Sequence, residues 1–226
     1  MKLGITVFIT DESASPDELA RLVEDYGFDS LWLPDHTHIP RSMAAPHPLS
    51  REGLPREYYR LLDVFVALTA AAAATKRLLL GTGVCIVPQR DPIVTAKQVA
   101  TLDVLSNGRF MFGVGAGWNL DEVRNHGVDP DDRFRVLDER VESMKQIWTN
   151  EEASFHGKFV SFDAIFSWPK PTQLPHPPLL LGSNGARAIE RAIRLGAQWM
   201  PGRPETMTSS FGALRSIAVT AIGRSA

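Results

Sequence analysis

Ser30 to Pro40 reads SLWLPDHTHIP. A short apolar run stops at Pro34, and Asp35, His36, Thr37 and His38 follow at once. An apolar segment of this length, bounded by proline, reads as a buried strand rather than a helix. Its polar end is either a loop returning to water or the rim of a site built where strands end. The pattern recurs along the chain. Leu78 to Val84 is apolar but carries Gly81 and Gly83 near its end. Phe110 to Val114 is followed by Gly115, Ala116, Gly117 and Trp118, and Leu179 to Leu181 by Gly182, Ser183, Asn184 and Gly185.

Helical signals separate these runs. Ser15-Pro16-Asp17-Glu18 predicts a helix start, with Ser15 as N-cap, Pro16 in the first turn and Glu18 closing a capping box; Gly27 ends that helix. Leu61 to Thr75 predicts an alanine-rich helix, and Asp91-Pro92 opens another that closes at Ser106-Asn107-Gly108. Leu137, Val141, Met144 and Trp148 share one helical face, and Ala186 to Leu195 forms a last helix. Phe155 to Phe162, turning at Gly157, predicts a short hairpin. With Leu3 to Ile9 as the first strand and Gln198 to Met200 as the last, strand and helix alternate almost throughout. That order demands a parallel sheet covered by helices.

An open doubly wound sheet would carry a glycine fingerprint after the first strand, and none is present. Polar and small residues at successive strand ends favour the TIM (β/α)₈-type barrel, whose sites gather at one mouth. Only six strands are predicted. The expectation is therefore an α/β barrel incomplete at its C-terminus, with a barrel domain over 1–202 and a divergent tail over 203–226. In the tail Phe211, Leu214, Ile217, Ala218 and Ile222 fit one helical face.

The chain has 226 residues, a formal net charge of -2, 44% hydrophobic and 22% charged residues, which is a globular balance. This charge supplies no basic field for nucleic acid. The most apolar stretch, Leu61 to Ala74, is broken by Asp63 and is shorter than the roughly 20 residues of a membrane span. MKLGITVFIT reads as a strand, not a signal peptide. A single cysteine, Cys85, precludes an internal disulfide and points to a reducing, cytoplasmic setting.

Each motif has more than one reading. The imidazoles of His36 and His38 could move protons near neutral pH, could chelate a metal as an H-x-H pair, or could merely cap a strand end. No further histidine directly follows a strand, so no metal is expected. Gly81 and Gly83 mark either a bulge or the close approach of a flat ring. Gly113, Gly115 and Gly117 lack the dinucleotide spacing but leave room at a mouth, which Trp118 could wall. Ser183 or Asn184 is a candidate N-cap, beside helix N–H groups suited to phosphate. Arg41, Arg51 and Arg56 could meet an acidic cofactor tail or substrate, but a solvated loop is the reading favoured for each.

Taken together, LWLPDHTHIP, LLLGTGVCIVPQRDPIVTAKQVATLDVLSNGRFMFGVGAGWNLDEV, FHGKFVSF and KPTQLPHPPLLLGSNGARAIERAIRLGAQWMPG resemble the bacterial luciferase-like superfamily, in particular its deazaflavin (coenzyme F420)-dependent oxidoreductases. The resemblance runs from Met1 to about Gly202. It implies a TIM barrel that holds the cofactor in its mouth and transfers a hydride to or from a small organic substrate. It makes His36 the proton donor or hydrogen-bond partner, oriented by Asp35. It implies a cis Gly83–Val84 bond against the ring, Ala116, Gly117 and Trp118 lining the ring and substrate space, and Gly182, Ser183, Asn184 and Gly185 holding the cofactor phosphate. Some F420 relatives carry a catalytic glutamate where Trp118 stands, and their sugar-phosphate chemistry is not expected here. The alternatives are FMN-dependent monooxygenation and a cofactor-binding protein without turnover. A homodimer through the outer helices is also implied.

Overall fold

In a computed structural model, residues 2–41 and 53–202 are described. The helical face over 203–226, together with His47 and Arg51, lies outside them. The elements run β1 (Gly4–Thr6), α1 (Pro16–Asp25), β2 (Ser30–Leu33), α2 (Val64–Ala74), β3 (Leu79–Thr82), β4 (Cys85–Ile86), α3 (Pro92–Leu105), β5 (Phe110–Gly115), α4 (Leu120–Asn125), α5 (Arg133–Thr149), β6 (Glu152–His156), β7 (Ser161–Phe166), β8 (Leu179–Gly182), α6 (Ala186–Arg194) and β9 (Gln198–Met200). Short 3₁₀ turns occupy Arg56–Tyr59 and Val87–Gln89.

The main sheet pairs β1-β2-β3-β5-β8-β9, all in parallel, with β4 added beside β5. Space order follows chain order without reversal. A doubly wound sheet would reverse at a switch point. The sheet instead curls as an incomplete TIM-type barrel, a half-barrel, as the alternation of elements predicted. β6 and β7 form a separate antiparallel hairpin. It extends beyond the predicted Phe155–Phe162 ends, with Glu152 paired to Phe166 and Ala153 to Ile165.

The period of two along the strands divides the sheet into two faces. Leu31, Leu80, Phe110, Phe112, Val114 and Leu181 point outward and are fully buried under Leu68, Val99, Leu137 and Met144 of the helices. The rings of Phe110 and Phe112 lie 6.4 Å from that of Phe65, and Trp148 meets Phe112 edge-on at 6.0 Å. On the inner face Trp32 lies across Gly81, where a Cβ would stand 2.3 Å from the indole. The close approach that Gly81 permits is therefore made by the protein itself.

Local chemistry sets the ends. Glu18 accepts the Ser15 N–H at 3.4 Å, and Gly27 leaves α1 with φ +79°. α2 starts at Val64 rather than Leu61, because the Asp63 carboxylate accepts the N–H groups of Phe65 and Val66. Asp91 caps α3 by accepting the Val94 N–H. The strand predicted over Leu78 to Val84 is interrupted: β3 stops at Thr82, the Gly83–Val84 peptide is cis, and the chain re-enters the sheet as β4.

Candidate active site

The C-terminal ends of the strands converge on a cavity of about 480 Å³. After β2 come Pro34, Asp35 and His36; after β3, Gly83 and Val84; after β5, Ala116, Gly117 and Trp118; after β8, Ser183 and Asn184; all of these, with Gly182, line it. Thr6, Phe8, Tyr58, Arg133 and Phe134 complete much of the wall. A second cavity of about 530 Å³ shares Gly83, Val84, Gly182, Ser183 and Asn184 and extends toward Trp32, Met200 and Pro201. Ten of the eleven site residues read from the sequence thus share one wall. Gly185 does not line either cavity; it is the N-cap of α6, with φ +87°.

Val84 shows how the mouth is held. A Cβ on Gly182 would stand 2.5 Å from Val84 Cγ1, and one on Gly115 would stand 2.6 Å from Cγ2. The space left by these two glycines is filled by the Val84 side chain, which sets the backbone of the β3–β4 connection between β5 and β8. The glycines predicted to make room for a ligand here make room first for Val84.

His36 and Asp35 do not act on each other as the resemblance implies. The Asp35 carboxylate accepts from Arg90 at both oxygens, Nε at 2.9 Å and Nη2 at 2.7 Å, and from the Ile86 N–H at 3.1 Å. Asp35 is 3% exposed, and this pair ties the loop after β2 to β4 and the turn behind it. Burial works to lower the Arg90 pKa, but the hydrogen bonds and charge of Asp35 prevail and raise it. The carboxylate on His36 is Glu122, from the first turn of α4: Oε2 lies 2.7 Å from His36 Nδ1, and Oε1 accepts the Thr37 N–H at 3.2 Å. Glu122 is 0% exposed. Asp35 turns to Arg90 and His36 to the cavity and Glu122 because consecutive residues leaving a strand point to opposite sides.

Asn119 accepts the Glu122 N–H at 3.2 Å and so starts α4, which turns Glu122 inward four residues after Trp118. A wholly buried glutamate needs a partner, and His36 is that partner. On the other edge of the imidazole, Trp118 Nε1–H donates to Nε2 at 3.3 Å, with the rings 5.6 Å apart. Tyr58 packs on the same imidazole at 5.4 Å, and burial raises its phenol pKa.

The H-x-H pair does not converge. His38 turns to Thr37 Oγ1 and Asn125 Nδ2, both at 3.0 Å, and Thr37 Oγ1 also meets His126 Nε2 at 2.7 Å. Burial, then the neighbouring His38, lowers the His126 pKa. Among the described residues no three His, Cys, Asp or Glu side chains are grouped to hold a metal ion, and no helix is long and apolar enough to cross a membrane. Cys85 is fully buried, and burial followed by the Asp35 charge pushes its thiol pKa up. Neither Ser183 nor Asn184 caps α6: Asn184 Oδ1 accepts the Gly202 N–H at 3.0 Å, and the Ser183 carbonyl accepts from Trp199. Arg56, read as solvated, pairs with the exposed Glu12.

The profile of the luciferase-like monooxygenase family matches residues 10–221. The chain belongs to that family. An uncharacterized protein of Mycobacterium tuberculosis is 46% identical to this luciferase-like protein over 187 residues, 82% of this chain and 66% of that one. An F420-dependent glucose-6-phosphate dehydrogenase of Nakamurella multipartita is 33% identical over 190 residues, 81% and 51% of the two chains. An FMNH(2)-dependent dimethylsulfone monooxygenase of Pseudomonas putida is 36% identical over 129 residues, 56% and 35%. The chain thus spans from about two thirds to about one third of these relatives' lengths. Among solved structures, monooxygenase RslO1 from Streptomyces bottropensis superposes with TM-score 0.79 at 27% identity, over 100% of this chain and 68% of that one. An F420-dependent secondary alcohol dehydrogenase in complex with an F420-acetone adduct gives TM-score 0.74 at 26% identity, over 100% and 66%. The family is one of oxidoreductases and monooxygenases, with F420- and FMN-dependent members.

Proposed function

We propose that this luciferase-like protein is an F420-dependent oxidoreductase that transfers a hydride between deazaflavin and a small organic substrate. The observation that carries this reading is the imidazole of His36 at the cavity wall, backed by the buried carboxylate of Glu122 at 2.7 Å. A hydride leaving carbon needs a partner proton to leave the attached heteroatom, and a held imidazole accepts one. The residues fit such a cofactor. Gly83, Ala116 and Gly117 offer a wall with little side chain, and the volume is within the usual range for a bound organic ligand. At the start of α6 no side chain caps the helix, and a Cβ on Gly185 would meet nothing within 4 Å. Those open amides suit a phosphate.

When bound, the deazaflavin supplies the two-electron hydride chemistry. The chain supplies the rest. Ala116, Gly117 and Trp118 bound the ring and substrate space. His36 takes the substrate proton at Nε2 during oxidation, the substrate group taking the place of the Trp118 N–H on that lone pair, and returns it during reduction. Asp35, through Arg90, holds the loop that presents His36. The same reading carries a cytoplasmic setting and a homodimer.

A second reading has a specific observation in its favour, the FMNH(2)-dependent relative at 36% identity. The two separate cleanly. With F420 and a panel of primary and secondary alcohols, the proposal predicts loss of the oxidised deazaflavin absorbance in step with product. Oxygen consumption with reduced FMN, and no deazaflavin reduction, would replace it with monooxygenation. Binding of either cofactor without turnover would leave a cofactor-binding protein.

A further inference from the structure

We propose that Glu122 is the positioning residue that fixes the tautomer of His36, keeping the hydrogen on Nδ1 and the lone pair on Nε2. The bonds on both edges of the ring dictate it. Glu122 is acceptor-only as a carboxylate, so Nδ1 at 2.7 Å must donate. Indole N–H is donor-only, so Nε2 at 3.3 Å from Trp118 must accept. A neutral imidazole has one donor and one acceptor, and only the Nδ1–H form satisfies both contacts. The Glu122 carboxylate is itself held: its second oxygen accepts the Thr37 N–H at 3.2 Å, and Asn119 anchors the helix turn that carries it.

The role requires a carboxylate. An amide at 122 has one acceptor and one donor group, facing two donors. Turned with its oxygen to Thr37, it presents N–H groups to Nδ1 and forces the hydrogen to Nε2, where the Trp118 N–H opposes it. Turned the other way, it sets N–H against the Thr37 N–H. The first arrangement spares the backbone bond, which ties the loop that carries His36, and is the one expected. The consequence for the proposed reaction, on whose reading of His36 this inference rests, is direction. Nε2 receives a proton from a substrate O–H or N–H as the hydride departs. A ring carrying its hydrogen on Nε2 would have its lone pair turned into the protein.

The test is the ¹⁵N–¹H imidazole spectrum of the protein at about pH 8, above the ordinary imidazole range, with His36 assigned by loss of its signals in His36→Asn. Wild type is expected to show a protonated Nδ1 and an unprotonated Nε2. Glu122→Gln is expected to shift the ring toward Nε2–H, while Trp118→Phe, which leaves Nδ1 untouched, keeps the wild-type state. A wild-type ring protonated at Nε2, or an unchanged ring in Glu122→Gln, overturns the proposal, as does a ring that changes in Trp118→Phe. The spectra need no cofactor, so their outcome stands apart from whether F420 is the cofactor. Where wild type turns over, kcat of Glu122→Gln falls about 10²-fold or more with KM and cofactor affinity nearly unchanged, as for other wrong-tautomer variants. An undiminished kcat beside a changed ring removes the positioning role.

Discussion

His36 stands between two acids, and the choice between them organises the site. Its neighbour in sequence, Asp35, is committed to Arg90, and its neighbour in space, Glu122, takes the imidazole. Removing the imidazole should therefore damage chemistry and spare binding. His36→Ala is expected to lower turnover by about 10²–10⁴-fold while the cofactor dissociation constant changes little; equal turnover would take His36 out of the reaction. Cys85 gives a second residue-scale prediction. The thiolate is the reactive form, and the raised thiol pKa withholds it. At about pH 8, near the free thiol's pKa, a thiol reagent should leave native protein unmodified and label one cysteine per chain after denaturation. Rapid labelling of the folded form would contradict the burial.

At the scale of elements, two devices hold the mouth, and each can be broken and repaired. Arg90→Met leaves the buried Asp35 carboxylate without its cation. Removing one partner of a buried pair costs about 3–5 kcal/mol, which for a chain of this size lowers Tm by about 6 °C or more. Arg90→Met with Asp35→Asn removes the stranded charge as well, and calorimetry should find the double variant more stable than the single. Gly182→Ala places a methyl 2.5 Å from Val84 and is expected to cost about 1–3 kcal/mol by overpacking; adding Val84→Ala should restore most of it. The elements were largely legible in the sequence because capping residues and apolar periods are local. Ser15, Asp91 and Gly27 act within a few residues of where they stand. The break of the third strand at Gly83–Val84 followed from the resemblance and not from periodicity, which runs unbroken through Val84. Asp63 was read as an interruption within a helix, and it is the cap that begins one.

For the whole molecule, the parallel order of the strands brings their C-terminal ends to one cavity, so ten of its lining positions were readable from strand ends. Its partnerships were not. The contact of His36 with Glu122 spans 86 residues, and no local pattern distinguishes an inward glutamate in the short α4 from a solvated one. Assembly belongs to this scale too. Val66 on α2 is 71% exposed and Val94 on α3 is 55% exposed, apolar surface of the kind a second copy would cover. If the proposed homodimer forms there, sedimentation should find a dimer that Val66→Glu with Val94→Glu converts to monomer; a monomeric wild type would end that proposal. The central claim is that this cavity holds deazaflavin. Of the five tryptophans, Trp118 and Trp32 line the two joined cavities, so a bound ring should quench their fluorescence. Titration of the purified chain with F420 and with FMN tests the claim most directly. Saturable quenching by F420 at concentrations well below those needed for FMN is the predicted result; preference for FMN, or quenching by neither in a chain shown by circular dichroism to be folded, would contradict it.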